Sequence, residues 1–325
     1  MTKKSRINHY PQPASDGGKV NMKLISIVSG MLACAAFGGA SAAEAPVIHI
    51  EDVARFYSVY DAAHGHPTAD QLQHDYLDPG SDGLHRFAKE RHTTGARIAD
   101  ALAAHPEIYA DATRCMDVLP RVRVRLELVL GTLSRLYPEA EFRPVTIAVG
   151  HGKPVGITDA SGVMIGLESL CATRWLNPNL EDRFVHVIAH EYGHVQQALK
   201  SPALYNGEKP TVLDAALIEG AAEFTSEMIS GDVAYGVFAA STKGREKDIE
   251  TAFVQDENKT DLSNWFNNSS LEKPGDLGYW VGYRIVKSYY RHAADKRRAF
   301  RDILETKDPK ALLAKSGWYP GIHLE

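Results

Sequence analysis

Two histidines four residues apart, His190 and His194, are the first feature of this 325-residue chain that can do chemistry. On an α-helix four residues turn about 400°, so both imidazoles leave one face, a turn apart. That spacing lets two ring nitrogens grip one metal ion, and zinc is the ion that suits imidazole ligands. Glu191 follows the first histidine and points beside the ion rather than at it. There it suits a base for a water that the ion activates. His186 lies one turn earlier on the same face. A hydrolytic zinc keeps three protein ligands and one open position, so His186 is expected to line or pack the site rather than bind.

A third ligand is needed. One group of zinc peptidases continues the motif with a glycine and then a third histidine, six residues past the second. Here those positions hold Gln197 and Lys200, which excludes that group. Another group takes a glutamate from a following helix. Glu219, 25 residues after His194, leaves room for a helix end, a loop and a returning helix. Glu223 stands one turn further along the same face, where it can accept the second N–H of a ligand histidine. Gly220, Ala221 and Ala222 are small enough to let this helix approach the first one closely.

His190-Glu191-Tyr192-Gly193-His194, Ile218-Glu219-Gly220-Ala221-Ala222-Glu223 and Leu277-Gly278-Tyr279-Trp280-Val281-Gly282-Tyr283-Arg284 together resemble the gluzincins. More narrowly, they are similar to a bacterial family of predicted zinc-dependent proteases, over roughly Val145 to Arg291. The resemblance implies that His190, His194 and Glu219 bind Zn2+ and that Glu191 is the catalytic base. It implies a zincin-like fold and a hydrolase acting on peptide bonds of a peptide or protein substrate. A donor for the oxyanion is also required. Tyr279 or Tyr283, four apart on one helix face, is a candidate, and both can equally be core aromatics. The alternative function is a zinc-stabilised binding domain, periplasmic or lipid-anchored, without hydrolysis. Glu191 speaks against it, because a structural site needs no base.

The elements that must position these residues follow from periodicity. Glu51 to about Tyr137 reads as helical, with Val122, Leu126, Val129, Leu133 and Leu136 on one face of the last run. Two β-branched runs follow, Val145–Val149 and Val163–Leu167, joined by a segment rich in glycine that reads as a loop. Val163–Leu167 can be an edge strand that pairs with substrate or a buried core strand. Asn177-Pro178-Asn179 starts the motif helix, with Glu181 and Asp182 suiting the dipole of its first turn. Thr211 caps a second helix that stops at Gly231, and a third runs from Asp276 to about Arg291. The expected fold class is α+β: predominantly helical, with a small sheet ahead of the motif helix.

Residues 1–42 read as a leader and signal peptide. Lys23, the apolar run Leu24 to Phe37 and the Ala40-Ser41-Ala42 box form the pattern of an export signal. A lipid anchor at Cys34 is the alternative, and membrane attachment is expected only in that case. Residues 43–325 then form one peptidase domain, with a helical part at 43–144 and a catalytic part at 145–325. The expected location is periplasmic or secreted.

Removing the leader takes away five basic residues and one acidic one, which moves the net charge from −5 to −9. That balance argues against a nucleic-acid partner. Cys115 and Cys171 remain, and an oxidising compartment favours a disulfide between them over two separate buried thiols. Oligomeric state is open at this level.

Overall fold

Asn179 begins the central helix as its spacing predicts, because its Oδ1 accepts from the Asp182 N–H at 3.1 Å. The motif helix spans Leu180–Lys200, and Phe184, Val185, Ile188, Ala189, Tyr192 and Val195 on it are buried. Its acidic first turn is held by Arg125, which reaches Glu181 at 3.0 Å and Asp182 at 2.7 Å from helix Leu119–Leu136. At its middle, Tyr192 Oη accepts from the Arg143 N–H at 3.0 Å, which ties the helix to the segment entering the sheet.

The computed structural model describes residues 46–152, 155–270 and 272–324. The leader reading, with Ala40-Ser41-Ala42 and Cys34, lies outside the described residues. The fold is α+β, 60% helical with one small sheet, so the sites of close packing are mostly between helices. The described residues form one compact unit. Among the described residues no helix is long and apolar enough to cross a membrane.

The sheet has four strands: β1 (Ile48–His49), β2 (Val145–Ala148), β3 (Gly156–Asp159) and β4 (Gly162–Gly166), in the order β1-β2-β4-β3. β1 and β4 both run parallel to β2, and β3 is antiparallel to β4. One sequence expectation is corrected here, and one open alternative is decided. Gly156–Asp159 is a strand, although it reads as loop; Gly156 and Asp159 are poor strand formers and only pairing with β4 makes them extended. Of the two readings of Val163–Leu167 the buried core strand holds: β4 is flanked on both sides and buried along its whole length, and β3 is the edge strand next to it. Gly162 makes the turn between them possible at φ +143°, a region open to glycine.

A second helix, Val212–Ser230, starts with a capping box in which Thr211 and Asp214 bond each other's backbone N–H groups. It ends at Gly231 in the left-handed conformation, φ +97°. A third helix, Leu277–His292, crosses it with backbones in contact. A Cβ added at Gly282 would lie 1.7 Å from the Ala216 carbonyl oxygen, and one at Gly220 would lie 2.0 Å from the Gly282 carbonyl carbon. Gly193 of the motif helix likewise faces the Ala222 backbone. Three helices are thereby drawn together by small residues. Cys115 and Cys171 form a disulfide, Cα–Cα 6.2 Å, which joins the N-terminal helices to the short helix Leu167–Ala172 just after β4.

Candidate metal centre

The motif helix presents His190 and His194 to a cavity of about 570 Å³, and the second helix brings Glu219 to the same point. Glu219 Oε2 stands 3.3 Å from His190 Nε2 and 3.1 Å from His194 Nε2. Ligand atoms about 2.0–2.1 Å from a tetrahedral zinc lie about 3.3 Å from one another, so these spacings match the edges of such a tetrahedron. The far nitrogens are also engaged. His194 Nδ1 is 2.7 Å from Gln197 Oε1, and Gln197 Nε2 donates to the Ile218 carbonyl at 2.8 Å. His190 Nδ1 is 2.8 Å from Glu223 Oε1, and among the described residues neither atom has another hydrogen-bond partner. Both histidines therefore turn Nε2 toward Glu219.

The electrostatics call for positive charge. Burial works to lower His190, and Glu219 with Glu223 outweighs it, raising the imidazole to about 10. His194 is raised as well, against the same burial, chiefly by Glu219. Glu219 sits well below the ordinary carboxylate range, since the two imidazoles overcome the burial that would raise it. Two buried imidazoles and a carboxylate at tetrahedral spacing, backed by a second carboxylate, fit a divalent cation with affinity for nitrogen.

Glu191 lines the cavity but is no member of the ligand set. Its carboxylate meets the edge strand: Thr158 Oγ1 donates to Glu191 Oε2 at 2.5 Å. A Cβ at Gly156 would fall 2.6 Å from Glu191 Oε1, so a larger residue there would push the carboxylate aside.

The two tyrosine candidates part company. The Tyr279 ring stacks on His190, centroids 5.8 Å and planes 14° apart, and lines the cavity. Tyr283 does not line it. Its hydroxyl accepts from Lys287 Nζ at 2.7 Å, and that ammonium also pairs with Glu227 at 2.8 Å. Four residues advance about 6 Å along a helix, and this places Tyr283 beyond the ligands. Of the two candidates, Tyr279 alone borders the cavity. His186 packs: its Nδ1 is 2.8 Å from Ser230 Oγ, and burial lowers its pKa.

Several wall residues were not foreseen from sequence. Tyr235 stacks on Tyr279 at 4.5 Å, its backbone N–H donating to Glu223 at 3.2 Å. Tyr205 lies against His194 at 5.5 Å. Thr158 and Gly156 come from the segment read as loop. Only Gln197 carried a local signal, three residues after His194 on the same helix.

Residues 166–303 match a family model described as predicted Zn-dependent protease. The span is narrower than the Val145 to Arg291 resemblance at its start and omits β3, while it contains His190, Glu191, His194, Glu219, Glu223 and Tyr279. No curated protein and no solved structure matches the chain.

Proposed function

We propose that the chain is an exported zinc-dependent peptidase of the gluzincin type, with a zincin-like catalytic domain. One observation carries the reading: a carboxylate outside the ligand set, Glu191, opens into the same cavity as His190, His194 and Glu219 and is held there by the edge strand. A purely structural zinc site has no use for such a group. The family description of residues 166–303 supports the same class. The Cys115–Cys171 bridge supports export, since disulfides persist in oxidising compartments.

Zinc held by His190, His194 and Glu219 would polarise a substrate carbonyl and lower the pKa of water toward neutrality. Glu191 receives the proton of the attacking water. Thr158 holds its Oε2, which leaves Oε1 for that proton and for its delivery to the leaving amine. Tyr279, stacked on His190, offers its hydroxyl to the oxyanion. β3 offers its free edge to the substrate main chain by strand addition. Glu223 and Gln197 keep both imidazoles turned toward the ion.

The test is metal analysis with cleavage profiling on a mixed peptide library. About one zinc per chain and defined cleavage sites are expected, matching a single three-ligand site. Stoichiometric zinc without cleavage of any peptide would leave the binding-domain alternative standing. Glu223→Gln keeps the side-chain shape and removes the charge facing His190 Nδ1. Zinc affinity measured by chelator competition is expected to fall roughly 10- to 100-fold. An unchanged affinity would show that Glu223 does not orient its histidine.

A further inference from the structure

The free edge of β3 is short, and one of its places is already taken. The Gly166 N–H donates to the Val155 carbonyl at 2.8 Å, so by alternation Ile157 and Asp159 also face β4. That turns the N–H and C=O groups of Gly156 and Thr158 outward, toward the cavity. Tyr205 Oη donates to the Thr158 carbonyl at 2.9 Å. The Tyr205 ring rests against His194, and Tyr205, Thr158, Gly156 and Glu191 all line the same cavity. Tyr205 ends the short helix Pro202–Tyr205, immediately after the motif helix, so its position is set by the element that carries the histidines.

We propose that Tyr205 is a specificity-determining residue that ends the substrate-binding strand. By holding the Thr158 carbonyl it limits main-chain pairing to Gly156 and the Thr158 N–H. A peptide that extends past the ligand set on the Thr158 side must break the Tyr205 bond or leave the edge. Tyr205 thereby limits how many residues are bound on that side of the scissile bond. The inference rests on the peptidase reading in taking the ligand to be a peptide.

Tyr205→Phe keeps the ring against His194 and removes the donor. The test measures dissociation constants of zinc-loaded Glu191→Gln protein, with and without Tyr205→Phe, for nested peptides lengthened one residue at a time from either end. Circular dichroism and zinc content control for folding. Tyr205→Phe is expected to tighten binding of the longer peptides by about two- to tenfold, the worth of one main-chain hydrogen bond, and to leave the shorter ones unchanged. N-methylation of the amide opposite Thr158 should cancel the gain. A shift equal at all lengths, no shift, or no peptide binding overturns the proposal. Should the length pattern hold while wild-type protein cleaves nothing, the peptidase reading falls and the edge-ending role stands. Should wild type cleave and the pattern be absent, the role falls alone.

Discussion

Glu191→Gln is expected to keep wild-type zinc content and to lose peptide hydrolysis by roughly 10²- to 10⁴-fold, the usual contribution of a positioned base. The substitution preserves size, and a glutamine oxygen still accepts the Thr158 hydroxyl that now reaches Glu191 Oε2 at 2.5 Å. What it removes is the ability to take a proton. The residues grouped to hold a metal ion are His190, His194 and Glu219, so metal binding is expected to be unchanged. Hydrolysis within about threefold of wild type would show that the base is another group, because a positioned base is worth far more than that. Loss of zinc together with activity would instead make Glu191 part of the ligand shell.

Gly282→Ala is expected to destabilise the fold by about 3 kcal/mol or more and to lower zinc affinity with it. A Cβ there would sit 1.7 Å from the Ala216 carbonyl oxygen, a backbone atom that no rotamer change can move. The two helices would have to separate, and they carry Glu219 and Tyr279 respectively. Gly131→Ala is the matched control. That glycine lies inside helix Leu119–Leu136, and its added Cβ meets only the Arg135 guanidinium at 3.7 Å. It should stabilise by about 0.5–1 kcal/mol, the helix-propensity difference. Urea denaturation reads both. A loss below about 1 kcal/mol for Gly282→Ala would mean that the helices do not touch at this point, since overpacking against backbone costs more.

The residues that could hold a metal ion were legible because their signals are local. Helical spacing put His190 and His194 on one face, Asn179 and Thr211 marked the helix starts, and the small run around Gly220 signalled a close approach. The tyrosine question was not local. Tyr279 and Tyr283 share a stripe, and the seating of Gly282 on Ala216 decides which of them is level with His190.

By itself the sequence determined the candidate metal-ligating pattern, the adjacent carboxylate, the two helices that carry them and the predominance of helix over sheet. Each is written in the helical spacing and cap residues of a single element. The tertiary structure alone decided the wall facing those ligands: that Gly156–Asp159 is a strand and the edge of the sheet, that Thr158 holds Glu191, and that Tyr205 and Tyr235 reach the histidines. Those relations join residues of different elements. Strand pairing and helix crossing create them, and neither leaves a period in the chain to be read.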